Sequence, residues 1–172
     1  MVRFIPYNPI SHRAQFLELN IEYITFISNQ MQAHHNIDAE VQGLPTIEEY
    51  VEIHLDKFAT VKPPEGITFI VETEGKAIGM GALIPLSEGV GEIKRMYIRP
   101  EHRGKGIGRR LLMKLMNKAK AFGYLSLRLE SQDFMTVAHK LYRSVGFQET
   151  AAYPGRETPD WYPNTVYMKI DL

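Results

Sequence analysis

Six residues, Arg103-Gly104-Lys105-Gly106-Ile107-Gly108, constrain this chain more than any other segment. Glycines at three alternate positions leave the backbone bare, open to positive φ and to close approach by a ligand. Before them runs a β-rich stretch from Glu92 to Ile98. After them, residues 108–122 read as an amphipathic helix, with Leu111, Leu112, Leu115, Met116, Ala119 and Phe122 on one face and Arg109, Arg110, Lys114, Lys118 and Lys120 on the other. The first N–H groups of a helix have no partner within it, and its dipole is positive at that end. A strand, a bare turn and a helix together form a device for holding phosphate. Arg103, Lys105 and Arg109 add charge at the rim. A solvated basic turn is the plainer reading, and the strand before and the long helix after weigh against it.

Charge is distributed to match. The 172 residues hold 20 basic and 20 acidic side chains. Residues 1–91 carry 5 basic and 12 acidic, residues 92–120 carry 10 and 2, and residues 121–172 carry 5 and 6. Half of the positive charge in 29 residues points to a multiply anionic ligand, not to a general affinity for nucleic acid. The basic helix face also lacks the interleaved aromatics of an RNA surface. Cysteine is absent, which excludes disulfides, thiolate metal sites and a cysteine nucleophile, and agrees with a cytoplasmic location. No apolar run approaches the ~18 residues of a membrane span. Met1-Val2-Arg3-Phe4 does not read as the start of a signal peptide.

The remaining elements follow from period and punctuation. Arg3 to Pro6 reads as a short strand, and residues 11–32 as a helix with Ser11 at its N-cap. His34 to Leu44 reads as a loop. Thr46 and Glu49 form a capping box for a helix ending near Phe58. Strands are expected over 67–72, 77–85, 92–98 and 124–130, then a helix over 133–145 stopped by Gly146, then strands over 147–151 and 165–170. The order predicts an α/β fold: a mixed sheet with helices on its faces.

Two phosphate-binding readings are weaker. A Walker loop needs Gly-Lys-Ser/Thr, which is missing. A dinucleotide fold, hence an oxidoreductase, gains from Glu130, 22 residues after Gly108, at the end of the next strand. Its third glycine, however, falls on Arg109, and five charged or bulky residues part the strand from Gly104.

The stretch from Gly91 to Leu112 resembles the central motif of the GCN5-related N-acetyltransferase (GNAT) superfamily, Arg/Gln-x-x-Gly-x-Gly/Ala, matched by Arg103, Gly106 and Gly108. Ala138-His139-Lys140-Leu141-Tyr142-Arg143-Ser144-Val145-Gly146-Phe147 is similar to the second motif, Ala-x-x-Leu-Tyr-x-x-x-Gly-Phe. The two motifs stand in order and cover about residues 67–150. One departure is Met135, where many relatives carry an Asn that helps to hold the coenzyme arm.

The resemblance implies one N-acetyltransferase domain over 1–172, with a mostly antiparallel sheet of six or seven strands, helices on both faces and a central parallel pair that splays. It implies acetyl-CoA as cosubstrate and no metal. The backbone of Met96, Tyr97 and Ile98 would pair with the pantetheine arm, and the pyrophosphate would rest on the segment Arg103, Gly104, Lys105, Gly106, Ile107, Gly108 and Arg109. Met135 and Ala138 complete the implied coenzyme contacts. Acetyl would pass directly to a primary amine of a small molecule or peptide, with N–H near Met96 stabilising the oxyanion. Glu92 is the implied base, reached directly or through water, and Tyr142 the implied acid. For Glu92 the alternative is an exposed strand carboxylate pairing Lys94 or Arg95. For Tyr142 it is a core tyrosine. A homodimer is common in the family.

His34, His35 and Asp38 suggest a metal at first sight, but adjacent histidines point apart and no further ligand completes the set. They are candidates for the acceptor side instead. Tyr153, Trp161 and Tyr162 stand among prolines in what reads as a lid, a dimer contact or an ordinary loop. The competing non-enzyme reading is an acyl-CoA-binding module without turnover.

Overall fold

The computed structural model describes residues 1–37, 45–159 and 162–172. Seven strands form one sheet: β1 (Arg3–Pro6), β2 (Ile67–Thr73), β3 (Lys76–Ser87), β4 (Val90–Ile98), β5 (Ser126–Gln132), β6 (Gln148–Thr150) and β7 (Thr165–Asp171). Their spatial order is β1-β2-β3-β4-β5-β7-β6, and every neighbour pair is antiparallel except β4 and β5. Among the described residues four α-helices cover it: α1 (Pro9–His35), α2 (Ile47–Ala59), α3 (Ile107–Ala121) and α4 (Thr136–Ser144). The expected mixed α/β architecture with a central parallel pair is what the chain adopts.

Period-2 alternation divides the core in two. Ile70, Met80, Ala82, Ile84 and Tyr97 face α1 and α2, where Phe16, Leu19, Val51, Leu55 and Phe58 meet them. Phe69, Val71, Ile78, Leu83, Ile93, Leu127 and Leu129 face the other way, against Leu111, Leu112 and Leu115 of α3. Burial of both sheet faces explains why β2 and β3 read as near-continuous apolar runs.

Several boundaries differ from expectation for local reasons. Asn8, not Ser11, caps α1: its side chain accepts from the N–H groups of Ile10 (2.9 Å) and Ser11 (3.2 Å), and Pro9 suits the first helical position. The helix runs on through His35 until Asn36 adopts φ +53°. The capping box of Thr46 and Glu49 is formed. β5 begins two residues later than expected, which leaves Leu125 outside the strand and 75% exposed. α4 starts at Thr136, because Asp133 turns back to accept from the Phe134 N–H at 2.8 Å.

Candidate active site

β4 and β5 pair only from Val90–Ser126 to Glu92–Arg128, then part. Beyond Glu92, β4 remains bonded to β3 on one side and exposes its other edge. The parting coincides with a bulge: Met80 faces Tyr97, while Ala82 faces Lys94. Arg95, inside the bulge, holds φ +55°, a conformation that costs a non-glycine residue about 1–2 kcal/mol. Its guanidinium sits 4.7 Å from the Phe58 ring centroid and 3.4 Å from Glu157 Oε1, and these contacts hold the strained residue in place.

The gap between the strands opens into a cleft of about 330 Å³. Its floor is Ile93 to Met96 on β4 and Glu130 to Gln132 on β5. Tyr23, Ile27 and Met31 of α1, Tyr50 and His54 of α2, Tyr142 of α4 and Tyr162 of the β6–β7 loop supply walls.

A buried ionic network underlies this floor. Lys94, 7% exposed, pairs with Glu130 and lies 3.2 Å from Glu157 Oε2 and 3.4 Å from Glu92 Oε1. Burial alone would lower its pKa, but the three carboxylates override that and drive it well up. Glu157 accepts from the Tyr50 hydroxyl at 2.9 Å. Burial would raise its pKa; Arg95 and Lys94 outweigh this and hold it at about 2. Glu130 accepts from the N–H groups of Glu157 (3.0 Å) and Thr158 (3.2 Å). Burial acts to raise its pKa too, and Lys94 with these hydrogen bonds brings it below the usual range. Glu130 is therefore a structural anchor for a loop.

Glu92 is 1% exposed and sits beneath the floor, not on the cleft wall. It is no exposed strand carboxylate. Its Oε1 accepts from the Tyr153 hydroxyl at 2.8 Å, and desolvation by burial raises its pKa against the pull of Lys94 and Tyr153. Tyr142 does line the cleft, and burial pushes its hydroxyl pKa well up, so it keeps its proton.

At the open end of β4, Pro100–His102 form one 3-10 turn and the glycine segment follows. Gly104 and Gly106 adopt φ +74° and +71°, and a Cβ on either would meet nothing within 4 Å. Gly106 is the N-cap of α3 and supplies no capping side chain, so the N–H groups of Ile107, Gly108 and Arg109 open the helix without intrahelical partners. The backbone here is open to solvent, with N–H groups at the start of α3 free to meet an anion. The cations are less direct than the sequence suggests. Arg103 Nε donates to the Ile98 carbonyl at 2.7 Å and its guanidinium lies 5.5 Å from the Tyr97 ring centroid. Lys105 Nζ donates to the Glu101 carbonyl (3.2 Å), and Arg109 donates to Ser144 Oγ (2.8 Å). Gly108 leaves room for Leu141, 3.7 Å from where its Cβ would stand.

Of the other expected contacts, Met96 and Met135 line the cleft. Tyr97 and Ile98 have buried side chains on opposite faces, which leaves only their backbone to serve a ligand. Ala138 packs against the α3-side core. His35 Nε2 lies 2.8 Å from Asp133 Oδ1, and His34 stacks on Phe134. Asp38 and Trp161 lie outside the described residues. No described helix is long and apolar enough to cross a membrane.

Residues 30–147 match the family model described as acetyltransferase (GNAT) family. The chain belongs to the GNAT acetyltransferase family. It is an acyltransferase. An uncharacterized N-acetyltransferase of Schizosaccharomyces pombe is 36% identical over 112 residues, 64% of this chain and 66% of that protein. The chain thus spans just under two thirds of that relative. An IAA acetyltransferase of Azospirillum brasilense is 32% identical over 143 residues, 78% of this chain and 92% of that one. The solved PaiA N-acetyltransferase of Thermoplasma acidophilum, in complex with coenzyme A, superposes with a TM-score of 0.71 at 16% identity over 100% of this chain and 99% of that chain. That likeness is one of fold.

Sequence reasoning missed Arg95, Glu157 and Tyr50 as parts of the buried network and His54 as a residue of the cleft wall. Two adjacent cations inside a strand with a single acid nearby were the available signal that charge is buried there.

Proposed function

We propose that this chain transfers acetyl from acetyl-CoA directly to a primary amine of a small molecule. The observation that carries the reading is the free edge of β4, which runs from the splay point to the glycine hollow. Backbone N–H and C=O groups of Met96 and Tyr97 offer added-strand pairing to the amides of the pantetheine arm. The segment Arg103 to Arg109 holds the diphosphate through its amides, with Lys105 and Arg109 as rim charges. Arg103 acts on β4 itself, by tying the start of the segment to Ile98. Met135 borders the arm from the N-terminus of α4, and Ala138 fixes that helix against the core.

Bound acetyl-CoA supplies an activated acetyl group on a thiolate leaving group. The Tyr142 hydroxyl, protonated and on the cleft wall, donates to the departing sulfur. Glu92 contributes at one remove: it fixes Lys94 and Tyr153, and through them the floor and the loop. The apolar side chains of Ile24, Ile27, Met31 and Ile47 on the wall favour a small acceptor with an apolar body.

Calorimetry with acetyl-CoA, CoA and NAD tests the first half. Binding of both coenzyme A species and none of NAD is expected. Acetyl-CoA consumption with a panel of amines tests the second, because a module that only binds acyl-CoA turns over none of them.

A further inference from the structure

We propose that the acceptor is a primary amine on an apolar body and that His54 Nε2 receives its proton; this deepens, and rests on, the acetyltransferase reading above.

His54 stands on α2 and faces the cleft. Its Nδ1 lies 2.8 Å from the carbonyl oxygen of Tyr50, one turn back. A carbonyl only accepts, so Nδ1 carries the hydrogen and Nε2 keeps its lone pair. The ring also stacks on Tyr50, with centroids 4.3 Å apart, which fixes its plane. Among the described residues no group bonds Nε2. An imidazole is the side chain that exchanges protons near neutral pH, and a backbone bond on one nitrogen is the usual way of aiming the other.

The other ionisable groups on the wall are engaged. Glu130 and Glu157 each accept from several donors, Lys94 and Arg95 are their partners, and Tyr50 donates to Glu157. Burial raises the phenols of Tyr23, Tyr142 and Tyr162, the last to about 12, so they hold their protons. An incoming amine therefore meets Ile24, Ile27, Met31 and Ile47 and the lone pair of His54 Nε2. Gln132 also lines the cleft, its Oε1 without a partner among the described residues, but an amide oxygen accepts a hydrogen bond and does not take a proton. A polyamine or a lysine peptide brings further positive charge, and the carboxylates on the described wall, Glu130 and Glu157, are already paired with Lys94 and Arg95.

The step balances. The ammonium gives one proton to His54 Nε2, which passes it to solvent. The freed nitrogen lone pair forms the C–N bond, and the C–S pair leaves on sulfur. Sulfur takes the Tyr142 proton, and the second nitrogen proton restores that hydroxyl.

Long-range 15N NMR of the ligand-free protein, with His54 assigned by its loss in His54→Gln, is expected to show the Nδ1–H tautomer. With saturating acetyl-CoA, 2-phenylethylamine is expected to exceed spermidine and a lysine-bearing peptide in kcat/KM. His54→Gln and His54→Asn are each expected to lower kcat/KM for it roughly 100-fold, with the CoA Kd unchanged within twofold. An Nε2–H tautomer, a loss below fivefold in both variants, or a 2-phenylethylamine rate at or below that of spermidine or the peptide overturns the proposal. Failure of the wild type to bind CoA overturns the acetyltransferase reading instead.

Discussion

Lys94 Nζ lies 3.2 Å from Glu157 Oε2, so the loop that walls the cleft is pinned to the strand that forms its floor. The same carboxylate takes the Tyr50 hydroxyl and the Arg95 guanidinium, which ties α2 and the β4 bulge to that loop. One side chain thus joins three parts of the wall that lie far apart in the chain.

Glu157→Gln is expected to destabilise the protein by about 3 kcal/mol at pH 7, because it removes the counter-charge of buried Arg95 and one of the three carboxylates around Lys94. The folded pKa of Glu157, about 2, lies below its ordinary 4.5. A depressed carboxyl contributes its stability above the unfolded value and loses it as pH falls through the folded one. Urea melts of both proteins should therefore differ fully at pH 7 and converge between about pH 4.5 and pH 2. A difference that stays constant over that range would contradict the assignment.

Glu92→Gln separates a structural carboxylate from a base. The amide keeps an oxygen for the Tyr153 hydroxyl, so the fold is retained. Loss of a direct general base costs 10²–10⁴ in rate. A buried support beneath the floor costs far less, and kcat is expected to fall less than about tenfold with CoA affinity intact. A loss of several hundredfold in steady-state assays would return Glu92 to the reacting groups.

The parts legible in the sequence are those set by local rules. The capping box at Thr46, the apolar stripe of α3 and the glycine hollow each follow from residues within a turn or two of one another. The bulge at Arg95 was not legible, since an arginine at positive φ carries no glycine or asparagine signal. Nor was the floor: Lys94, Glu130 and Glu157 are separated by tens of residues, and only the tertiary fold brings acids and base out of water together. The tie between His35 and Asp133, 98 residues apart, is of the same kind. The start of α1 failed for a smaller reason: Asn8 and Pro9 outrank Ser11 as cap and first residue.

Gly106→Ala tests the hollow. The position needs φ +71°, which costs an alanine roughly 1 kcal/mol, and no neighbouring atom adds a clash in the free protein. The stability loss should stay near that figure in thermal melts. The new methyl group, however, projects into the space offered to the diphosphate. CoA affinity is expected to fall more than tenfold by calorimetry, and an unchanged Kd would mean that the diphosphate rests elsewhere.

Tyr142→Phe isolates the proposed acid. The Tyr142 ring packs in the α3-side core, 6.0 Å from the Phe147 ring centroid, and phenylalanine preserves that contact. The hydroxyl has no described hydrogen-bond partner, so its removal leaves no stranded group and little stability should be lost. Burial holds the phenol protonated throughout the working range, which suits a donor and disqualifies a base. The expected result is a kcat lowered by about 10²-fold with the KM for acetyl-CoA unchanged. The deficit should shrink with acyl donors whose thiol has a lower pKa, because a better leaving group needs less help from an acid. If the deficit is equal for good and poor leaving groups, Tyr142 is a wall residue only, and sulfur is protonated by water.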